Sequence, residues 1–233
     1  MVDYVYDLAF GPDGTAYAAR HSGLYRRDGD DWVFAFANLE IDTDEPLVTT
    51  AVDIAADGTI FAGGTGGIVR SENEGKSWHI SPLPPPPATI MRVAFSPDYE
   101  RDGAAFAGSS EDGMFITLDR GKSWSRWNFG LLDLNILSIV TAGNDTIYAG
   151  TETGLYRSTN GGRAWRDLDF PEDLCPVLSL SMLPSGELLI GTETGGVYRW
   201  QSGEDFPVGR QFDAPVNALQ TLSDGRVVAL LSR

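Results

Sequence analysis

Apolar and polar residues alternate in short runs along the whole chain, and each run closes on Gly, Asp, Asn or Pro. The runs include DLAFGPDGT from Asp7, DIAADGT from Asp53, VAFSPDYERDG from Val93, SIVTAGNDT from Ser138, SLSMLPSGE from Ser179 and ALQTLSDGR from Ala218. A period of two sends one set of side chains to a core and the other to water, which predicts strands. The closing residues supply the positive φ that tight hairpins need. No segment carries the 3.6-residue spacing of an amphipathic helix.

The runs are copies of one unit. YAARHSGLYR from Tyr17, FAGGTGGIVR from Phe61, FAGSSEDGMFI from Phe106, YAGTETGLYR from Tyr148 and LIGTETGGVYR from Leu189 start 44, 45, 42 and 41 residues apart, and a truncated VALLSR follows 39 further on at Val228. Each unit reads as strands A, B, C and D joined by short turns. Four short antiparallel strands in this length is the arithmetic of a β-propeller blade. The fold class predicted is all-β: one propeller domain over residues 1–233, with blades near 4–38, 49–81, 90–128, 136–170 and 177–208 and a partial blade at 215–231.

A second signature recurs between strands C and D. Ser71, Asn73, Gly75 and Trp78 in SENEGKSW are matched by Thr117, Asp119, Gly121 and Trp124 in TLDRGKSW and by Ser158, Asn160, Gly162 and Trp165 in STNGGRAW. On these residues the chain resembles the bacterial neuraminidase repeat, or Asp-box, family of propellers, sialidase-like or WD-repeat-like in fold. In repeat style it is similar to the photosystem II assembly factors and other adaptors with this repeat. The resemblance covers nearly the whole chain and informs fold far more than function. It implies a structural box: the Asn or Asp accepts backbone N–H groups of its own turn, the Gly adopts a conformation closed to other residues, and the Trp plugs a seam. The first blade offers only the shorter RRDGDDW and the fifth RWQSGEDF, with Phe206 at the Trp position. The sixth unit has only strands A and B, so either the last blade is two-stranded or a second chain supplies the rest. An open strand edge favours self-association.

Composition narrows the setting. The chain carries 33 Asp plus Glu against 17 Lys plus Arg, a net charge of -16. Phosphate binding needs clustered positive charge, so nucleic acid is not an expected partner. Only Lys76 and Lys122 are lysines; acid excess with scarce Lys resembles proteins of halophilic archaea, and the alternative is an ordinary acidic protein from a GC-rich genome, where codon bias favours Arg over Lys. One cysteine, Cys175, offers no internal disulfide. The first ten residues contain Asp3 and Asp7 and lack a signal-peptide pattern, and no run is long and apolar enough to span a membrane. A cytoplasmic protein with no membrane association is expected.

Candidate chemistry is sparse. The resemblance would imply an Arg triad, a Tyr–Glu nucleophile and an Arg-Ile/Leu-Pro motif in a catalytic sialidase, and that motif is missing. His21 and His79 are far apart in sequence, no G-x-S-x-G elbow accompanies them, and no metal-ligand spacing or phosphate loop occurs. The expectation is no enzyme, no metal and no cofactor. In a propeller the B–C turns and the D-to-A connections share one face. There the sequence places Arg20, His21, Glu111, Asp112, Trp127, Asp133, Glu152 and Glu193, with Asp42, Asp44 and Glu45 nearby. Glu152 and Glu193 could be imagined as a glycosidase pair, but GTETG twice over reads as duplicated turn chemistry. Trp127 has no aromatic counterpart in later blades, which fits either a ligand-facing residue or one buried at a blade edge. The face is acidic with a basic notch at Arg20 and suits a basic peptide or protein. The expected function is a non-enzymatic scaffold; the alternative is a carbohydrate-binding or degenerate glycosidase-like protein.

Overall fold

The structure, a computed structural model, describes residues 3–36, 48–86, 88–143, 145–201, 206, 208–222 and 224–231. Within them the alternating runs form six antiparallel sheets, five of four strands and one of two. The first comprises β1 (Val5–Phe10), β2 (Ala16–Arg20), β3 (Gly23–Asp28) and β4 (Asp31–Phe34). The second comprises β5 (Thr49–Ile54), β6 (Ile60–Gly64), β7 (Gly67–Ser71) and β8 (His79–Ser81). The third is β9 (Thr89–Phe95), β10 (Ala105–Ser110), β11 (Met114–Thr117) and β12 (Ser125–Arg126). The fourth is β13 (Ile136–Ala142), β14 (Thr146–Thr151), β15 (Leu155–Ser158) and β16 (Arg166–Asp167). The fifth is β17 (Val177–Met182), β18 (Leu188–Thr192), β19 (Gly196–Trp200) and β20 (Val208–Gln211), and β21 (Val216–Thr221) pairs with β22 (Val227–Leu231) in the sixth.

One predicted turn is more than a turn. After β9, Tyr99–Asp102 form a single helical turn, α1, which Gly103 ends in the left-handed conformation at φ 64°. Asp98 donates its N–H to Ser96 Oγ at 3.1 Å, which starts the coil. Tyr99 is buried and meets Phe95 edge-on at 4.6 Å. The aromatic side chain gains a core position that a plain hairpin would have left in water, and alternation alone could not show this.

The chain divides into two compact units, 1–126 and 127–233, each built from three of the sheets. In both units the core lies between successive sheets. Tyr17, Leu24 and Trp78 share one cluster, Phe61, Phe95 and Trp124 another, and Tyr148, Leu188 and Tyr198 a third. Strand B carries a small residue where the next inner strand presses in. A Cβ on Gly63 would collide with Ile90, one on Gly150 with Val177, and one on Gly191 with Val216. That close approach is the physical reason for glycine in the repeated AGG, AGT and IGT motifs.

Every A–B pair also shifts register once, between Val5 and Asp7, Thr49 and Ala51, Ile136 and Ser138, Val177 and Ser179, Val216 and Ala218, and at Gly108/Ser109 of β10. The bulge re-aims the inner strand toward the next sheet. Hydroxyls at this point bridge the sheets: Ser138 donates to the Val177 carbonyl at 3.1 Å, Ser179 to Val216 at 2.8 Å, and Thr50 to Ile90.

Candidate functional site

In the first unit the expected basic notch is closed. Arg20 lies 3.6 Å from the Asp3 carboxylate, and its guanidinium sits 4.7 Å from the Tyr25 ring and 5.3 Å from the Trp32 ring. Asp3 is held in turn by the Ser22 N–H at 3.1 Å and hydroxyl at 2.9 Å. The short first-blade turn is a tight hairpin with Asp28 opposite Asp31, so Trp32 stands on β4 and takes the cation instead of plugging a seam. His21 Nδ1 lies 3.3 Å from the Tyr6 hydroxyl. Asp112 pairs with Arg126 at 3.1 Å, and Arg126 covers the Phe115 ring. Glu111 is exposed in a left-handed conformation at φ 71°. Asp42, Asp44 and Glu45 lie outside the described residues, as does Ser202 to Asp205 of the fifth box.

In the second unit the connection leaving Trp127 is pinned along its length. Trp165 donates its backbone N–H to the Phe129 carbonyl at 2.8 Å and its indole N–H to the Trp127 carbonyl at 3.0 Å. Trp127 itself is half-buried, with the Arg163 guanidinium 5.4 Å from its ring. Asp133 accepts the Asn135 N–H at 2.9 Å, the Thr153 N–H at 2.9 Å and the Thr153 hydroxyl at 2.8 Å. Burial would raise its carboxyl, but these bonds and one from Thr151 outweigh burial and hold it below the usual range. Asn135 donates to Glu152 at 3.1 Å. Between these anchors Phe129 and Leu132 stand 80% and 82% exposed.

The repeated GTETG turns share one construction. The Thr151 and Thr192 hydroxyls are buried and accept the N–H of Gly154 and Gly196 at 3.0 and 3.2 Å, which leaves Glu152 and Glu193 pointing out. Burial first, and the carboxylates of Glu172, Asp133, Asp167 and Asp173 after it, push the Cys175 thiol up to about 11 and favour its protonated form. Among the described residues, no three His, Cys, Asp or Glu side chains group to hold a metal.

The three repeated turns between strands C and D are built alike in both units. Asn73, Asp119 and Asn160 each accept a backbone N–H four residues on, from Ser77, Ser123 and Ala164, at 2.9, 2.9 and 3.0 Å. The Ser71, Thr117 and Ser158 hydroxyls accept the N–H of Gly75, Gly121 and Gly162 at 2.8, 2.9 and 2.9 Å. That second clamp was hidden in sequence, where the hydroxyl was only a recurring letter. Trp78 packs on Tyr17 and Trp124 on Phe61, each beside the preceding sheet.

Sequence reasoning also missed a pair of inner-strand carboxyls. Asp7 on β1 accepts the Val52 N–H at 3.2 Å, and Asp53 on β5 accepts the Phe95 N–H at 3.3 Å, so each reaches the next sheet. Burial pushes both up, Asp53 to about 7; the Arg92 charge opposes the rise at Asp7, while the Asp7 charge adds to the rise at Asp53. Ser181 does the same work in the fifth sheet, accepting the Thr221 N–H at 3.1 Å. The available signal was an Asp set among apolar positions in two neighbouring copies.

Sheet order, inter-sheet packing and repeated register define the chain as a β-propeller. Solved structures agree. The chain is similar to the extracellular domain of BT3049 from B. thetaiotaomicron, assigned to a hybrid two-component system, with 14% identity and TM-score 0.79, over 99% of this chain and 33% of that one. It is similar to an ancestral GH74 enzyme at 21% identity and TM-score 0.69, over 88% of this chain and 31% of that one. It is also similar to YCF48 bound to D1 peptide, at 16% identity and TM-score 0.65, over 91% of this chain and 68% of that one. The chain thus spans about a third of the first two. No family model and no curated protein matches the sequence.

Proposed function

We propose that this propeller is a non-enzymatic, protein-binding scaffold of a high-salt cytoplasm, carrying Asp-box repeats, and that the connection from Trp127 to Asn135 grips a basic partner segment. The observation that carries the reading is the pair Phe129 and Leu132, displayed at 80% and 82% exposure on a connection held by Trp165 and Asp133. Exposed apolar side chains on a pinned connection that runs on into Asp133 have the anatomy of an interface centre, with charge to steer a basic partner. The likeness to YCF48 bound to D1 peptide supports peptide binding as a use of this architecture. The GH74 likeness favours a second reading, a carbohydrate-binding or glycosidase-like protein. The test is crosslinking of the purified chain to its partner in native lysate at high salt, followed by affinity measurement with that partner. Phe129→Ala with Leu132→Ala is expected to weaken binding at least tenfold with folding intact, and charge reversal at Glu152 and Glu193 to slow association. Release of a chromogenic glycoside by the wild type would instead establish the second reading.

A further inference from the structure

Beside the C–D turn of the fourth sheet lies a cavity of about 540 Å³, whose wall includes Arg157, Thr159, Asn160, Trp165, Arg166 and Trp200. That volume falls in the range of small-molecule sites. Strand register explains which side chains it collects. Tyr148, Arg157 and Arg166 stand opposite one another across β14, β15 and β16, so they share one face of the sheet. The Arg157 guanidinium lies 5.8 Å from the Tyr148 ring and 5.8 Å from the Trp200 ring of β19, which fixes its place on the wall. Arg166 is exposed and makes no hydrogen bond or ion pair among the described residues. Like charges directly opposite on neighbouring strands repel, and an anion between them removes the repulsion.

The neighbouring polar groups are donors as well. In the second sheet Asn73 donates its Nδ2 to the Ser77 hydroxyl at 2.8 Å, and in the third Asp119 accepts the Ser123 hydroxyl at 2.6 Å. The fourth sheet has Ala164 at that position, so the Asn160 amide keeps its N–H groups for the cavity. The second sheet also shows a carboxylate seated on the equivalent arginine. Arg70, the counterpart of Arg157, lies 2.8 Å from Glu72, and Thr159 stands at the position of Glu72 in the fourth sheet.

Two acidic residues border the cavity. Asp167 stands opposite Tyr156, so its side chain belongs to the other face of β16, where its charge adds to burial in raising the Tyr156 hydroxyl. Asp169 is exposed at the rim. Two guanidinium groups against that one carboxylate leave a place for a single negative charge.

We propose that this cavity binds a small organic carboxylate, a monoanion held between the Arg157 and Arg166 guanidinium groups, with the Asn160 amide and the Thr159 hydroxyl as further donors and Trp165 and Trp200 as apolar wall. Arginine presents paired N–H groups that match the two oxygens of a carboxylate. The site is separate from Phe129 and Leu132 and does not depend on the function proposed above.

The experiment titrates the chain in molar KCl with sodium benzoate, with neutral benzamide and with inorganic phosphate as its dianion, read by amide NMR. Benzoate is expected to shift the Thr159, Asn160 and Arg166 amides with a Kd on the order of 10 mM, and to bind at least about fivefold tighter than either of the others. Arg166→Gln is expected to weaken benzoate binding at least about fivefold. Thr159→Glu, which supplies from the chain the carboxylate that Glu72 supplies in the second sheet, is expected to abolish the shifts. Both positions are exposed, so the rest of the spectrum is expected to stay unchanged. Ala164→Ser, which gives the Asn160 amide the hydroxyl partner of the other turns, is expected to weaken binding about twofold. Unshifted amides with benzoate overturn the site. An equal response to benzamide overturns recognition of the charge, and phosphate binding as tightly as benzoate overturns the preference for a monoanion. Unchanged affinity in Arg166→Gln or Thr159→Glu overturns the role given to the arginines.

Discussion

Asp53 is the residue whose environment departs furthest from what its position in the strand run implies. Burial is the main force raising its carboxyl from 3.8 to about 7, the Asp7 charge adds to it, and the N–H groups of Ile54 and Phe95 oppose it. Because the folded value lies above the unfolded one, the native state binds the extra proton between these values. This group's contribution is therefore most favourable below pH 4 and declines as pH rises toward 7. Asp53→Asn keeps an acceptor for the Phe95 N–H and removes the charge. It is expected to stabilise the protein by on the order of 3 kcal/mol at pH 8 and by little at pH 4; thermal unfolding at the two pH values measures this, and an equal effect at both contradicts it. An Asp in an apolar run was visible in the sequence. Its role was not, because only the next inner strand supplies the wall that desolvates it and the N–H it accepts.

At the scale of the element, the box turn joins a polar clamp to an apolar plug, and the two differ in worth. Asp119 accepts the Ser123 N–H and hydroxyl at the surface and the hydroxyl of the buried Thr117 beneath them. Trp124 is 5% exposed, packs 5.7 Å from Phe61 and donates its indole N–H to Ser81 at 2.8 Å. Asp119→Ala is expected to cost about 1 to 2 kcal/mol, and Trp124→Ala about 3 to 5 kcal/mol, by urea unfolding. A reversed order would show that the turn rather than the seam holds the sheet. The carboxyl's role was legible because side-chain capping is local in sequence. Trp32 shows the limit: with the turn two residues shorter, the same Gly and Trp letters build a hairpin that hands the indole to Arg20.

At the scale of the whole molecule the net charge of -16 dominates. Repulsion among exposed carboxylates opposes the compact state, and at 1 M salt the Debye length falls to about 3 Å. The midpoint of unfolding is therefore expected to rise from low salt to molar KCl; equal stability at both would sink the high-salt setting. No helix among the described residues is long and apolar enough to cross a membrane. By itself the sequence determined the strands, their grouping into repeated blades, the box turns and the acidic balance, because alternation, turn chemistry and charge act between residues close along the chain. The tertiary structure alone decided that Arg20 is neutralised by Asp3, that Asp112 is tied to Arg126, that Phe129 and Leu132 stand out on a pinned connection, and that the half-buried Asp7 and Asp53 each reach the next sheet. Each of those depends on a partner brought near by packing, and no local pattern encodes which partner arrives.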